Sequence, residues 1–200
     1  MMISNPNILK ETSRGIQAVR PEDELFTDRK LFLTGEVNTD SMAGMLMQLM
    51  CLEGSGSDEE ITIYINSPGG DVRSGLAVYD YIRQMRTPVR TVCTGIAASM
   101  GSILFLAGDR REMYEHSQLM IHDPSMLGGN YEKPMELRTR LESLMEIRDI
   151  LAGIISERSG MDIGKVFKAT ETDSYYNAEA ALECGLATRI IRNKEESLND

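Results

Sequence analysis

Residues 89–102 read VRTVCTGIAASMGS, and their pattern sets the fold class. Val89 to Thr94 is rich in β-branched and apolar residues, which predicts a buried strand. Gly95 follows, and the small and apolar residues of Ala97 to Ala107 predict a helix. The same step occurs just upstream. Ile61 to Ile65 predicts a strand that runs into SPGG at Ser67 to Gly70. Val72 to Met85 predicts a helix, with Leu76, Tyr79 and Ile82 three apart. Thr87-Pro88 stops it. Strands alternating with helices imply an α/β fold with parallel pairing.

Working outward, Lys30 to Val37 predicts a buried strand ended by Gly35. Asp40 to Leu52 has helical spacing at Met42, Met45, Leu46, Leu49 and Met50, with Asn38 or Asp40 as its cap. Glu112 to Tyr114 and Gln118 to Ile121 read as short strands around a turn. Pro124 to Pro134 is a loop. Pro134 to Ser159 is a long amphipathic helix, with Leu137, Leu141, Leu144, Ile147, Leu151 and Ile154 at spacings of three and four. Gly160 ends it. Short helices at Ile163 to Ala169 and Asn177 to Cys184 precede a last strand, Ala187 to Ile191. Residues 1–20 are polar and mixed and read as a mobile arm.

The chain has 200 residues, enough for one domain with a sizeable core, and a formal net charge of −10. That balance argues against nucleic acid, which needs clustered Lys and Arg. Cys51, Cys93 and Cys184 are widely spaced with no metal-binding pattern, and Cys51 and Cys93 are expected in the core. No signal-peptide run opens the chain and no apolar stretch is long enough to span a membrane. A cytoplasmic protein is expected. The 14 methionines suit adaptable core or interface packing rather than a metal.

Ser99 sits among Gly and Ala where strand becomes helix. Its hydroxyl becomes a nucleophile when a neighbouring base takes its proton. The same position suits a Ser that caps the helix beside close-packed glycines, and the segment alone leaves both open. Gly69 and Gly70 can leave their amides bare. With the Met100 N–H they suit an oxyanion hole, and equally a plain strand-to-helix turn. Of the two histidines, His116 lies in a polar turn and is expected to be solvated. His122 ends the apolar run Leu119 to Ile121 and is the better base. For the acid that orients it, Asp123 is adjacent in sequence, so its side chain points to the opposite face of a strand. Asp173 lies in a polar turn between helical segments. Geometry must choose.

Taken together, these residues make the chain resemble the family of ATP-dependent Clp protease proteolytic subunits. Four blocks carry the likeness in the family order. They are YINSPGGDV at Tyr64 to Val72, GIAASMGS at Gly95 to Ser102, MIH at Met120 to His122, and AEAALECGLA at Ala178 to Ala187. The likeness runs from about Lys30 to Arg192. It implies a crotonase-like spiral of ββα units with a protruding handle helix at about 134–159. It also implies a single protease domain over 21–200, with residues 1–20 as an N-terminal arm or axial pore loop. Ser99 would be the nucleophile, His122 the general base and Asp173 the orienting acid. The backbone amides of Gly70 and Met100 would form the oxyanion hole. Extended peptides would lie between Asp71 and Val72 on one side and Leu127, Gly128 and Gly129 on the other. Two stacked heptameric rings would enclose the sites and cut unfolded proteins to short peptides. A hexameric AAA+ unfoldase would feed the chamber and use the ATP, so the subunit itself would need no metal or cofactor.

Several positions depart from the family pattern. Asp123 stands where the family has Gln, and the following loop is two residues longer. A hairpin at Asp109 to Glu112 reads as clipped. Thr172 replaces an Arg that pairs between rings. Thr62 and Gln84 replace aromatics of the unfoldase-docking pocket, while Tyr64 remains. These departures raise the alternative of a divergent paralogue, weak or inactive alone, that works in a mixed ring. A crotonase-type acyl-CoA enzyme, which shares the fold and the two-amide oxyanion hole, is the rival from another enzyme class.

Overall fold

Nearly every predicted element forms, and most run slightly longer than their local pattern. The computed structural model describes residues 6–13, 15–125 and 133–192. It begins with β1 (Ile8–Thr12) and β2 (Gly15–Val19), helix α1 (Pro21–Thr27), strand β3 (Lys30–Val37) and helix α2 (Thr39–Gly54). Next come β4 (Ile61–Gly70), α3 (Val72–Gln84), β5 (Val89–Ala98), α4 (Met100–Leu106), β6 (Arg110–Tyr114) and β7 (Gln118–Ile121). The last are α5 (Pro134–Ser159), α6 (Ile163–Thr170), β8 (Ser174–Asn177), α7 (Ala178–Glu183) and β9 (Arg189–Ile191).

Strands β3, β4, β5, β6 and β9 lie side by side in one parallel sheet. Strand β5 forks. Its first half, Arg90 to Cys93, pairs with Arg110 to Met113, and its last residues, Ile96 to Ala98, pair with Gln118 to Met120 of β7. Strand β8 then adds to β7 in antiparallel register. All seven residues of α4 are buried, and Phe105 and Leu106 are fully enclosed. Helix α2 buries Met42, Met45, Leu49 and Leu52, and α3 buries Gly75, Val78, Tyr79 and Ile82. These faces cover the strand residues Ile61, Ile63 and Ile65 as one core. Asn38 caps α2 by accepting from the Ser41 N–H, and Asp71 caps α3 by accepting from the Ser74 N–H.

Tertiary pairing overrides the local reading at several points. Within the stretch read as a mobile arm, β1 and β2 pair antiparallel, Ile8 opposite Val19 and Thr12 opposite Gly15. Residues Ala97 and Ala98 belong to β5, not to the helix, because β7 supplies ladder partners that outweigh alanine's helix preference. Strands β6 and β7 flank a turn but pair with β5, not with each other. No hairpin exists at 109–112; the Asp109 N–H donates to the Val89 carbonyl and leads straight into β6. Helix α5 buries only Leu151, Ala152 and Ile155, so Leu137 and Leu141 of its predicted apolar stripe stay 58% and 55% exposed.

Cys51 is exposed on α2 rather than in the core, whereas Cys93 is buried as expected. Burial pushes the Cys93 thiol up to about 11. The thiolate is the reactive form, so at pH 8 roughly one molecule in a thousand is poised to react. Iodoacetamide at that pH is expected to leave Cys93 unmodified in the native protein and to modify it in urea, read by peptide mass spectrometry.

Candidate active site

The sheet delivers Ser99 at the exact end of β5. Its backbone sits at φ 53, ψ −124, a conformation rare outside glycine, between strand and helix. Such a strained strand-to-helix corner lifts a side chain clear of both elements. The Ser99 N–H donates to the Met120 carbonyl at 2.9 Å, which locks the corner to β7. Ser99 occupies the N-cap position of α4, yet its side chain makes no capping bond. Its Oγ lies 2.8 Å from His122 Nε2 instead. The capping alternative is thereby resolved.

His122 follows the last residue of β7, two positions beyond the Met120 that holds Ser99. Its imidazole is 25% exposed, and its Nδ1 is 3.3 Å from Asp173 Oδ1. Strand β8 brings that carboxylate in. Ile121 pairs with Ser174 in the antiparallel ladder, so the next residues outward, His122 and Asp173, face each other. With Nδ1 protonated toward Asp173, Nε2 is free to accept from Ser99. Asp123 is not part of this array. It turns away to accept from Arg148 Nε at 2.8 Å, as alternation along a strand requires.

SPGG passes directly against the Ser99 corner. A Cβ on Gly69 would stand 2.6 Å from the Ala98 carbonyl oxygen and 2.9 Å from the Met100 nitrogen. Gly69 and Gly70 hold φ of 91 and 146, open to glycine alone. Sequence reasoning missed what shapes this turn. Buried Ser67 donates from Oγ to the Gly35 carbonyl at 2.6 Å and accepts from the Gly69 N–H at 3.1 Å. Ser67 is the only polar side chain in the turn, and its burial beside glycines was the available signal. The Met100 N–H lies in the first turn of α4, where helix bonding gives it no partner.

An apolar pocket opens beside Ser99, walled by Val72, Met100, Ile103, Ile121, Leu151 and Ile155. A groove continues from it along Asp71, Val72 and Pro124 toward Leu144 and Ile147 of α5. Leu127, Gly128 and Gly129, expected to form the opposite rim, lie outside the described residues. His116 is exposed in the turn before β7, at the opposite end of that strand from His122. Among the described residues no group of three or more His, Cys, Asp or Glu is arranged to hold a metal. Among them, too, no helix is long and apolar enough to cross a membrane.

On the sheet, Thr62 is buried and its Oγ1 accepts from Arg90 Nε at 3.2 Å. Phe32 stacks on Tyr64 with ring centroids 5.2 Å apart. With Leu25, Thr94 and Tyr114 they line a surface recess. Aromatic area therefore persists around Tyr64 despite the Thr at position 62.

A hydroxyl, an imidazole and a carboxylate in series at the ends of strands, beside a glycine turn, is the layout of a serine hydrolase. The comparisons with known proteins narrow this. The family model described as Clp protease matches residues 13–194. The ATP-dependent Clp protease proteolytic subunit of Ligilactobacillus salivarius (strain UCC118) is 35% identical over 193 residues, 96% of this chain and 97% of that one. The chain belongs to the Clp protease family and is a serine-type peptidase.

Proposed function

We propose that Ser99 attacks the scissile carbonyl, with His122 as general base and then general acid, and Asp173 holding the imidazole. As Ser99 Oγ bonds to the carbonyl carbon, Nε2 of His122 takes its proton. The amides of Gly70 and Met100 receive the oxyanion; one such donor is worth about 10²–10³ in kcat. The imidazolium hands its proton to the leaving amine, and water repeats the sequence on the acyl-enzyme. Every step uses this chain's own side chains and amides. The 2.8 Å contact between Ser99 Oγ and His122 Nε2 is the observation that carries this reading.

Extended chains would add along Asp71 and Val72, with the loop bearing Leu127, Gly128 and Gly129 opposite. Backbone pairing of this kind makes sequence preference broad. The apolar pocket walls favour an apolar side chain just before the cut bond. The subunit would work in the cytoplasm within two stacked heptameric rings, α5 serving as the handle between them. Residues 1–20 would line the axial pore and 21–200 would form the single protease domain. An AAA+ unfoldase would supply unfolded protein and use the ATP, docking at the Phe32–Tyr64 recess. The retained aromatics and the aligned side chains favour an active subunit over a partner-dependent paralogue. The family match and the serine–imidazole pair likewise disfavour an acyl-CoA enzyme.

A fluorophosphonate probe tests the assignment. Mass spectrometry should find the adduct on the peptide containing Ser99. An unlabelled Ser99 in a preparation that cleaves peptides would overturn it.

A further inference from the structure

Helix α5 is largely exposed, yet its Arg148 turns inward. Arg148 Nε donates to Asp123 Oδ2 at 2.8 Å, and its guanidinium carbon lies 4.2 Å from the centroid of the Phe167 ring. The Arg148 and Asp123 side chains are only 22% and 31% exposed. Asp123 Oδ1 is buried with no hydrogen-bond partner among the described residues. The guanidinium is therefore what satisfies this carboxylate.

Asp123 stands between His122 and Pro124, a wall of the cleft. Its own N–H donates to the carbonyl of Thr170, the last residue of α6, at 2.7 Å. Phe167 belongs to the same helix, which ends three residues before Asp173. A few residues on, the Ser174 hydroxyl donates to the Ala169 carbonyl at 2.6 Å. Arg148 thus touches both segments that meet in the site. Through Asp123 it holds the backbone that carries the imidazole. Through Phe167 it holds the helix that leads to the carboxylate.

We propose that Arg148 is a positioning residue: the Asp123–Arg148–Phe167 cluster sets the distance between His122 and Asp173 from the long helix. This rests on the reading of Ser99, His122 and Asp173 as the reacting array. A guanidinium suits the role because it is planar, always charged, and bonds a carboxylate while stacking on a ring. Misplacing a reacting group by 1 Å can cost about a hundredfold, so a small slackening here registers in kcat. Substrate contacts lie on other residues, so KM should hold.

The test is steady-state hydrolysis of a short fluorogenic peptide by the full-length assembled protein. Arg148→Met is expected to lower kcat about tenfold or more with KM within about twofold. Arg148→Lys, which keeps the charge but loses the planar stack on Phe167, should fall between Arg148→Met and wild type in kcat. The double variant Asp123→Asn/Arg148→Met should be no slower than Arg148→Met alone, since both remove one contact. A wild-type kcat in Arg148→Met, a matching rise in KM, or multiplicative losses in the double variant would overturn the proposal. Should Arg148→Met fail to assemble on gel filtration, Phe167→Leu decides, because it removes the stack and keeps the ion pair. A kcat drop of about threefold or more supports the role, and an unchanged kcat overturns it. Fluorophosphonate labelling separates the two readings. Absent labelling of wild-type Ser99 sinks the reacting array, whereas equal labelling rates in wild type and Arg148→Met sink only the positioning role.

Discussion

Ser99→Ala will leave the protein folded and stop it cleaving peptides, lowering kcat by at least about 10⁴-fold. The two halves of this expectation have separate causes. Structurally, the Ser99 hydroxyl bonds to His122 and caps nothing. The corner is held by backbone bonds from Ser99 N to the Met120 carbonyl and from Ser102 N to the Ser99 carbonyl, at 2.9 and 3.0 Å. Alanine keeps these and meets the same strain at φ 53 as serine does. The melting temperature should therefore move by no more than a few degrees. Chemically, Ser99 supplies the hydroxyl that bonds Nε2 among the described residues, so its loss removes the covalent route. His122→Ala should cost about as much, and the double variant no more than either single one, because the pair acts as a unit. Asp173→Ala should be milder, by roughly a factor of ten to a hundred, since that carboxylate is 57% exposed and sits 3.3 Å away. Peptide kinetics with thermal melting check all four. A Ser99→Ala protein within tenfold of wild type would remove Ser99 from the chemistry.

Gly70→Ala will damage both fold and function. Its Cβ would fall 2.1 Å from the Val37 carbonyl oxygen, at a backbone φ of 146. That carbonyl also accepts the Asp71 N–H at 2.7 Å, so the clash lands where β3 meets β4 and where Asp71 caps α3. Backbone strain costs about 1–3 kcal/mol, and forced displacement in a tight site adds about as much. For a chain this size the melting temperature should fall by roughly 5–20 °C. The Gly70 amide would move with the chain, and loss of one oxyanion donor lowers kcat by about 10²–10³. Gly44→Ala is the control. Its Cβ would meet nothing within 4 Å in the middle of α2, so it should be neutral or stabilise by about 0.5–1 kcal/mol. A Gly70→Ala protein with wild-type melting and kcat would show that the SPGG turn is neither tight nor catalytic.

Local signals were legible in the chain and tertiary ones were not. Proline at the start of α5 and Gly160 at φ 78 after it delimit the helix within its own sequence. The cap at Asn38 and the stripe Met42, Met45, Leu49 are equally local. By contrast, β8 is four residues long and exposes every second side chain, so nothing in SYYN marks it as a strand until β7 lies beside it. The exposure of Cys51 and of Leu137 on α5 depends on what packs against those helices, which apolar spacing alone does not say. Arg148 was invisible for the same reason. Twenty-five residues separate it from Asp123, and only the folded chain brings the two to 2.8 Å.

The order of residues alone determined that strands and helices alternate, and that a serine between small residues precedes a histidine at a strand end. Those features follow from side-chain size, branching and spacing, which act over a few residues. Only the folded molecule put the Asp173 carboxylate, and not that of Asp123, beside the His122 imidazole. That placement rests on the antiparallel register of β7 with β8, a pairing between segments some fifty residues apart. Ladder hydrogen bonds form with whichever strand packing brings alongside, and no local preference specifies that partner.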